Sequence, residues 1–99
     1  MIELGGNITL VGFKEIEFAE LSIVKKLVGN YAKKISSTKP ITNLTLTVKQ
    51  IHHTDENSSK FELKAKLDLD GKIYNSEITE YNLFIGIDNI LKKIDNQIK

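Results

Sequence analysis

Between Glu17 and Ile35 the apolar residues Leu21, Val24, Leu27, Val28, Tyr31 and Ile35 recur at intervals of three and four, the spacing that gathers side chains on one face of an α-helix. Glu15, Glu17 and Glu20 stand at the start of this stretch and Lys33 and Lys34 at its end, which is the charge order the helix dipole favours. Ser36-Ser37-Thr38-Lys39-Pro40 stops it, because proline lacks the amide hydrogen that would continue the ladder. A second stripe of this kind, Leu83, Ile87, Ile90, Leu91, Ile94 and Ile98, predicts a C-terminal helix from about Thr79 to Gln97.

Elsewhere the period is two. Ile8–Phe13 is apolar and β-branched, flanked by Gly5-Gly6 and by Lys14-Glu15, and predicts a first strand. Asn43–Lys49 alternates strictly, with Leu44, Leu46 and Val48 toward a core and Thr45, Thr47 and Lys49 toward water. Phe61, Leu63, Ala65 and Leu67 alternate with charged residues in a third strand, and Asp70-Gly71 then signals a hairpin into a short fourth strand around Lys72–Asn75. The order is β-α-β-β-β-α, an α+β domain. A strand, a long helix and a strand in succession call for a right-handed crossover, so the first two strands are expected to be parallel and the last three to form a meander. Each helix has one apolar face, which predicts a four-stranded mixed sheet with both helices on one side and a polar surface on the other.

Ninety-nine residues suffice for one domain, residues 1–99, with a thin core, and 40% apolar residues suit a folded chain. No apolar run is long enough for a membrane span. The opening Met1-Ile2-Glu3-Leu4-Gly5-Gly6 lacks the pattern of a secretory signal, and no cysteine is present; both predict a cytoplasmic chain without disulfides or thiolate zinc sites.

Charge changes the picture more than composition does. The net charge is only +1, yet Lys25, Lys26, Lys33, Lys34, Lys39 and Lys49 fall in residues 25–54 with no acid among them. All fourteen basic residues are lysine, so any anion is met by flexible point charges rather than by a planar guanidinium fork. On the first helix Ser22, Lys26, Gly29 and Lys33 form one stripe opposite the apolar face, with Lys25 and Asn30 beside it and Lys34 at its edge. On the last helix Lys92 and Lys99 project beside Asp88 and Asp95, with Lys93 on a flank. Side by side, the two helices would present a shared cationic surface suited to a phosphate backbone.

The remaining candidates carry less. His52-His53-Thr54-Asp55-Glu56 is the one cluster of metal-capable side chains, but neighbours at a strand end point to opposite sides and no second cluster completes the ligand set. It is read as a polar loop, with no metal or cofactor expected. No Gly-x-Ser-x-Gly elbow, phosphate-cradling loop or interior carboxylate pair occurs, so no catalytic activity is expected. Tyr31 and Phe84 sit at core spacings, whereas Tyr74 and Tyr81 fit either packing or base stacking.

Several of these segments resemble the ribosome hibernation promoting factors, also called ribosome-associated inhibitor or protein Y. Asn82-Leu83-Phe84-Ile85-Gly86-Ile87-Asp88 is similar to the family's Asp-Met-Tyr-x-Ala-Ile-Asp run, and Leu91-Lys92-Lys93-Ile94-Asp95-Asn96-Gln97-Ile98 to its Val-x-Lys-Leu-x-x-Gln-Leu ending. Asn7-Ile8-Thr9, Glu15-Ile16, Val24 with Leu27, and the Asp70-Gly71-Lys72-Ile73 hairpin fit as well. The resemblance implies a domain whose helices offer basic residues to small-subunit ribosomal RNA and silence translation by occupancy. By position it implies RNA contacts at Lys26 and Lys33 and at Lys92, Lys93 and Lys99; Lys25 and Lys34 join them from the helical stripe. The alternative is a protein-interaction or homodimerisation module that uses the open sheet face or an edge strand.

Overall fold

The computed structural model describes residues 2–4, 7–52 and 59–98. Among them are β1 (Ile2–Leu4), β2 (Ile8–Val11), a 3-10 turn (Phe13–Glu15), α1 (Phe18–Ser36), β3 (Ile41–His52), β4 (Ser59–Leu69), β5 (Lys72–Glu80) and α2 (Leu83–Ile98). The strands form one sheet in the order β1-β2-β3-β4-β5. β2 and β3 run parallel, joined through α1, and β3, β4 and β5 form the antiparallel meander.

The expected four-stranded sheet is therefore five-stranded. Ile2, Glu3 and Leu4 pair antiparallel with Leu10, Thr9 and Ile8, but three residues are too few for an alternation to show in the sequence. Several boundaries also move, β3 extending the expected Asn43–Lys49 strand at both ends. The first predicted strand ends at Val11 rather than Phe13, because Gly12 takes φ 81° and Phe13 turns into the core. β5 runs on to Glu80 instead of stopping near Asn75, and the last helix consequently begins at Leu83, not Thr79.

Both helices cover the same face of the sheet. Ile8 and Leu10 of β2, Leu44, Leu46 and Val48 of β3, and Leu63, Ala65, Leu67 and Leu69 of β4 form one buried cluster with Val24, Val28, Ala32 and Ile35 of α1 and Leu83, Ile87, Ile90, Leu91 and Ile94 of α2. Full burial of each large aliphatic side chain contributes about 1.5–3 kcal/mol, so this two-layer contact is the main source of stability. Tyr74 belongs to the buried cluster, and Tyr31 and Phe84 pack half-buried against it. Tyr81 stays exposed. The absence of a side chain at Gly86 seats α2 closely, since an added Cβ would lie 2.5 Å from Leu63 Cδ1.

Local chemistry sets the ends of these elements. At the C-terminus of α1 the hydroxyls of Ser36, Ser37 and Thr38 donate to the carbonyls of Lys33, Lys34 and Ile35, which satisfies acceptors that a helix end leaves open. The β4–β5 hairpin turns at Asp70 (φ 53°) and Gly71 (φ 88°), and the Gly71 amide donates to Asp68 Oδ1 at 3.0 Å. Asn82 caps α2: its Oδ1 accepts from the amides of Phe84 and Ile85 at 3.0 and 3.1 Å. Asn82→Ala is expected to cost about 1 kcal/mol, read as an earlier midpoint in chemical denaturation with an unchanged slope.

Candidate nucleic-acid interface

Helix α1 contains a single acidic residue, Glu20 in its first turn, and four lysines. Lys26, Lys33 and Lys34 are exposed and Lys25 is half-buried. Ser22 and Asn30 are exposed beside them, so the stripe read from the helical period is a solvent-facing surface. Among the described residues no ion pair reaches any of these four lysines; the pairs present are Lys64–Glu77 and Lys92–Asp88.

Helix α2 treats its cations differently. Lys92 Nζ lies 2.9 Å from Asp88 Oδ2, an i,i+4 pair that holds the ammonium near its own helix. Lys93 turns the opposite way and donates to the carbonyl of Glu77 on β5 at 3.1 Å. Lys99 lies outside the described residues.

The two helices meet along a groove of about 160 Å³ walled by Leu27, Tyr31 and Leu91. Its charged lining is Lys34 from α1 with Asp88, Lys92 and Asp95 from α2. The structure thus brings Lys34 and Lys92 together but sets two carboxylates among them. The unbalanced positive surface is the outer face of α1, around Lys26 and Lys33.

Tyr31 reports on this groove from within. Its hydroxyl is buried without a hydrogen-bond partner among the described residues, and burial, aided by the negative charge of Asp95, pushes its pKa up to about 12. The unfolded chain releases this proton near pH 10 while the folded chain retains it to about pH 12. Stability therefore holds its full value with respect to this group below pH 10 and falls as the pH rises through that window, because ionisation then favours the unfolded chain. Tyr31→Phe removes an unsatisfied hydroxyl, so stability at neutral pH is expected to hold or rise by up to about 1 kcal/mol. The fall in stability above pH 10 should also become shallower, as measured by denaturation at a series of alkaline pH values.

The opposite face of the sheet is polar and mixed in charge. Lys64 Nζ sits 3.7 Å from Glu77 across β4 and β5, Lys49 stands opposite Glu62, and Thr9, Thr45 and Thr47 fill the space toward β2. Tyr81 is 58% exposed, with the Lys60 ammonium 5.5 Å from its ring centroid. The His53–Glu56 part of the histidine-containing loop lies outside the described residues. Among the described residues no group of three metal-capable side chains occurs, and no helix is long and apolar enough to cross a membrane.

Two participants were not visible as such in the sequence. Gln97 donates to the carbonyl of Asn75 at 2.6 Å, and Ser76, an inward polar residue of β5, donates to the carbonyl of Ile90 at 3.1 Å. Their partners are backbone atoms far away in the chain, which no residue pattern announces.

No family model and no curated protein matches the sequence. Solved structures do. A ribosomal subunit interface protein from Coxiella burnetii superimposes with a TM-score of 0.62 at 18% identity, over 92% of this chain and 89% of that one. The N-terminal domain of Thermus thermophilus Protein Y gives 0.56 at 18% identity, over 93% and 92%. The shared architecture spans nearly the whole length of each of these chains. It supports the resemblance to the hibernation factors drawn from the sequence, and at this identity what it establishes is the fold.

Proposed function

We propose that this chain is a non-enzymatic, cytoplasmic RNA-binding domain that attaches to the small ribosomal subunit through the outer face of α1 and inhibits translation by occupying the site. The observation that carries the proposal is the run of exposed lysines on α1, Lys26, Lys33 and Lys34, none of which is ion-paired among the described residues. Point charges on flexible stems suit a phosphate backbone, whose contacts position a protein without reading sequence. The fold shared with a ribosomal subunit interface protein and with Protein Y supports the same partner.

Within this reading Lys26 and Lys33 are the primary phosphate contacts, with Lys25 and Lys34 beside them. Lys92 contributes from across the groove on releasing Asp88. Lys93 is engaged at β5 and adds little, and Lys99, outside the described residues, joins the contacts by the resemblance alone. Occupancy requires no cofactor. The open sheet face is a poorer docking surface, since its charges alternate and its polar residues are already wet.

Co-sedimentation with small ribosomal subunits tests the proposal. Binding is expected at low salt and should fall steeply as salt rises, because each neutralised phosphate returns counterions to solution. Absence of the protein from the low-salt pellet would refute it.

A further inference from the structure

The outer edge of β5 carries two hydrogen bonds that its own ladder does not explain. In an antiparallel pair, every second residue turns its N–H and C=O away from the neighbouring strand. On β5 these residues include Asn75 and Glu77, whose carbonyls are taken instead by α2: Gln97 Nε2 donates to Asn75 at 2.6 Å and Lys93 Nζ to Glu77 at 3.1 Å. The spacings match. Four residues along a helix rise about 6 Å, and two residues along a strand advance about 6.8 Å, so one helical turn of donors spans two successive outward acceptors.

An edge strand with free acceptors is a template for another strand, and proteins protect such edges with lysines and covering elements. Here the nine-residue β5 is the long edge of the sheet; the other edge, β1, has only three residues. We propose that β5 is a homodimerisation edge which α2 holds shut through Lys93 and Gln97, and that its occupant when the two donors withdraw is β5 of a second copy. This inference is independent of RNA binding.

The sequence of β5 favours a copy of itself. A two-fold axis through Ser76 places Lys72 opposite Glu80, Tyr74 opposite Ile78, Ile73 opposite Thr79 and Asn75 opposite Glu77. Opposite charges then meet at both ends, an aromatic residue meets a β-branched one, and no like charges face each other. In this register Asn75 and Glu77 form the hydrogen-bonded pairs, which are the residues whose carbonyls already point outward. α2 packs over both β4 and β5. With strands about 4.8 Å apart, joining two sheets brings the two α2 helices to about 10 Å, an ordinary helix-packing distance.

Sedimentation-equilibrium analysis of the full chain tests this. The double variant Lys93→Ala/Gln97→Ala alters two exposed side chains and is expected to remain folded by circular dichroism, with a self-association constant raised about tenfold or more over the wild type. Adding Asn75→Pro, whose amide faces away from β4, removes no bond of the β4–β5 ladder and should return the double variant to monomer. Adding Lys72→Glu instead, which sets like charges opposite each other, should weaken the dimer. A double variant that associates no more than the wild type, or a dimer indifferent to Asn75→Pro, would overturn the proposal. A wild type that already pairs through β5 would overturn the closed state.

Discussion

Replacing Lys26, Lys33 and Lys34 together by alanine is expected to lower affinity for small ribosomal subunits about a hundredfold at low salt, and to make the salt dependence shallower by about three counterions. On the proposed reading the losses add, since each lysine meets one phosphate, acts uniformly across RNA sequences, and releases about one counterion when it does so. All three side chains are exposed and none is ion-paired among the described residues, so the triple variant should unfold at the wild-type temperature. Lys93→Ala serves as the contrast, because its ammonium is occupied by the Glu77 carbonyl; its effect on subunit binding should be small. An equal loss from both variants would mean that α1 is not the principal contact surface. Co-sedimentation over a salt series measures both quantities.

The largest effect on stability is expected at Gly12. This residue ends β2 in the left-handed region at φ 81°, and a Cβ there would run into the carbonyl oxygen of Val48 on β3. The backbone conformation costs an L-residue about 1–2 kcal/mol, and relieving an overpacked contact against backbone costs about 1–3 kcal/mol more. Gly12→Ala should therefore destabilise the domain by about 3 kcal/mol, lowering the thermal midpoint by about 15 °C for a chain of this size. Gly71→Ala provides a control that separates the two causes. It shares the positive φ, at 88°, but an added Cβ meets nothing within 4 Å among the described residues, so only the conformational cost applies. Calorimetry of the two variants should show Gly12→Ala losing clearly more than Gly71→Ala.

Where the sequence carried a strong period, the structure followed it. α1 spans Phe18–Ser36 against an expected stretch from Glu17 to Ile35, and the parallel pairing of β2 with β3 came from chain length and crossover geometry alone. The departures from the pattern have identifiable physical causes. β5 is longer than its sequence pattern because Ser76 faces inward and breaks the apolar alternation; its hydroxyl instead finds the Ile90 carbonyl on α2. The sequence alone starts α2 early because Thr79 and Glu80 are compatible with a first turn, whereas Asn82 holds the capping position. β1 is too brief to carry a period.

The candidate surface was half legible. Periodicity alone placed Lys26 and Lys33 on the outer stripe of α1. It could not distinguish the fates of the α2 lysines, since Lys92 and Lys93 are adjacent in sequence yet turn to an aspartate and to a strand edge. That division depends on how α2 lies across β5, a tertiary relation. The expected common field of the two helices thus resolves into a cationic α1 and an α2 whose described lysines are already engaged.

Mapping backbone amide shifts of the labelled protein during titration with small-subunit RNA tests the central claim most directly. Perturbations concentrated on residues 22–36 of α1, with weaker ones at Asp88 and Lys92 across the groove, are the expected result. Shifts gathered on Thr45, Thr47, Lys64 and Lys66 of the open sheet face, with α1 undisturbed, would contradict it.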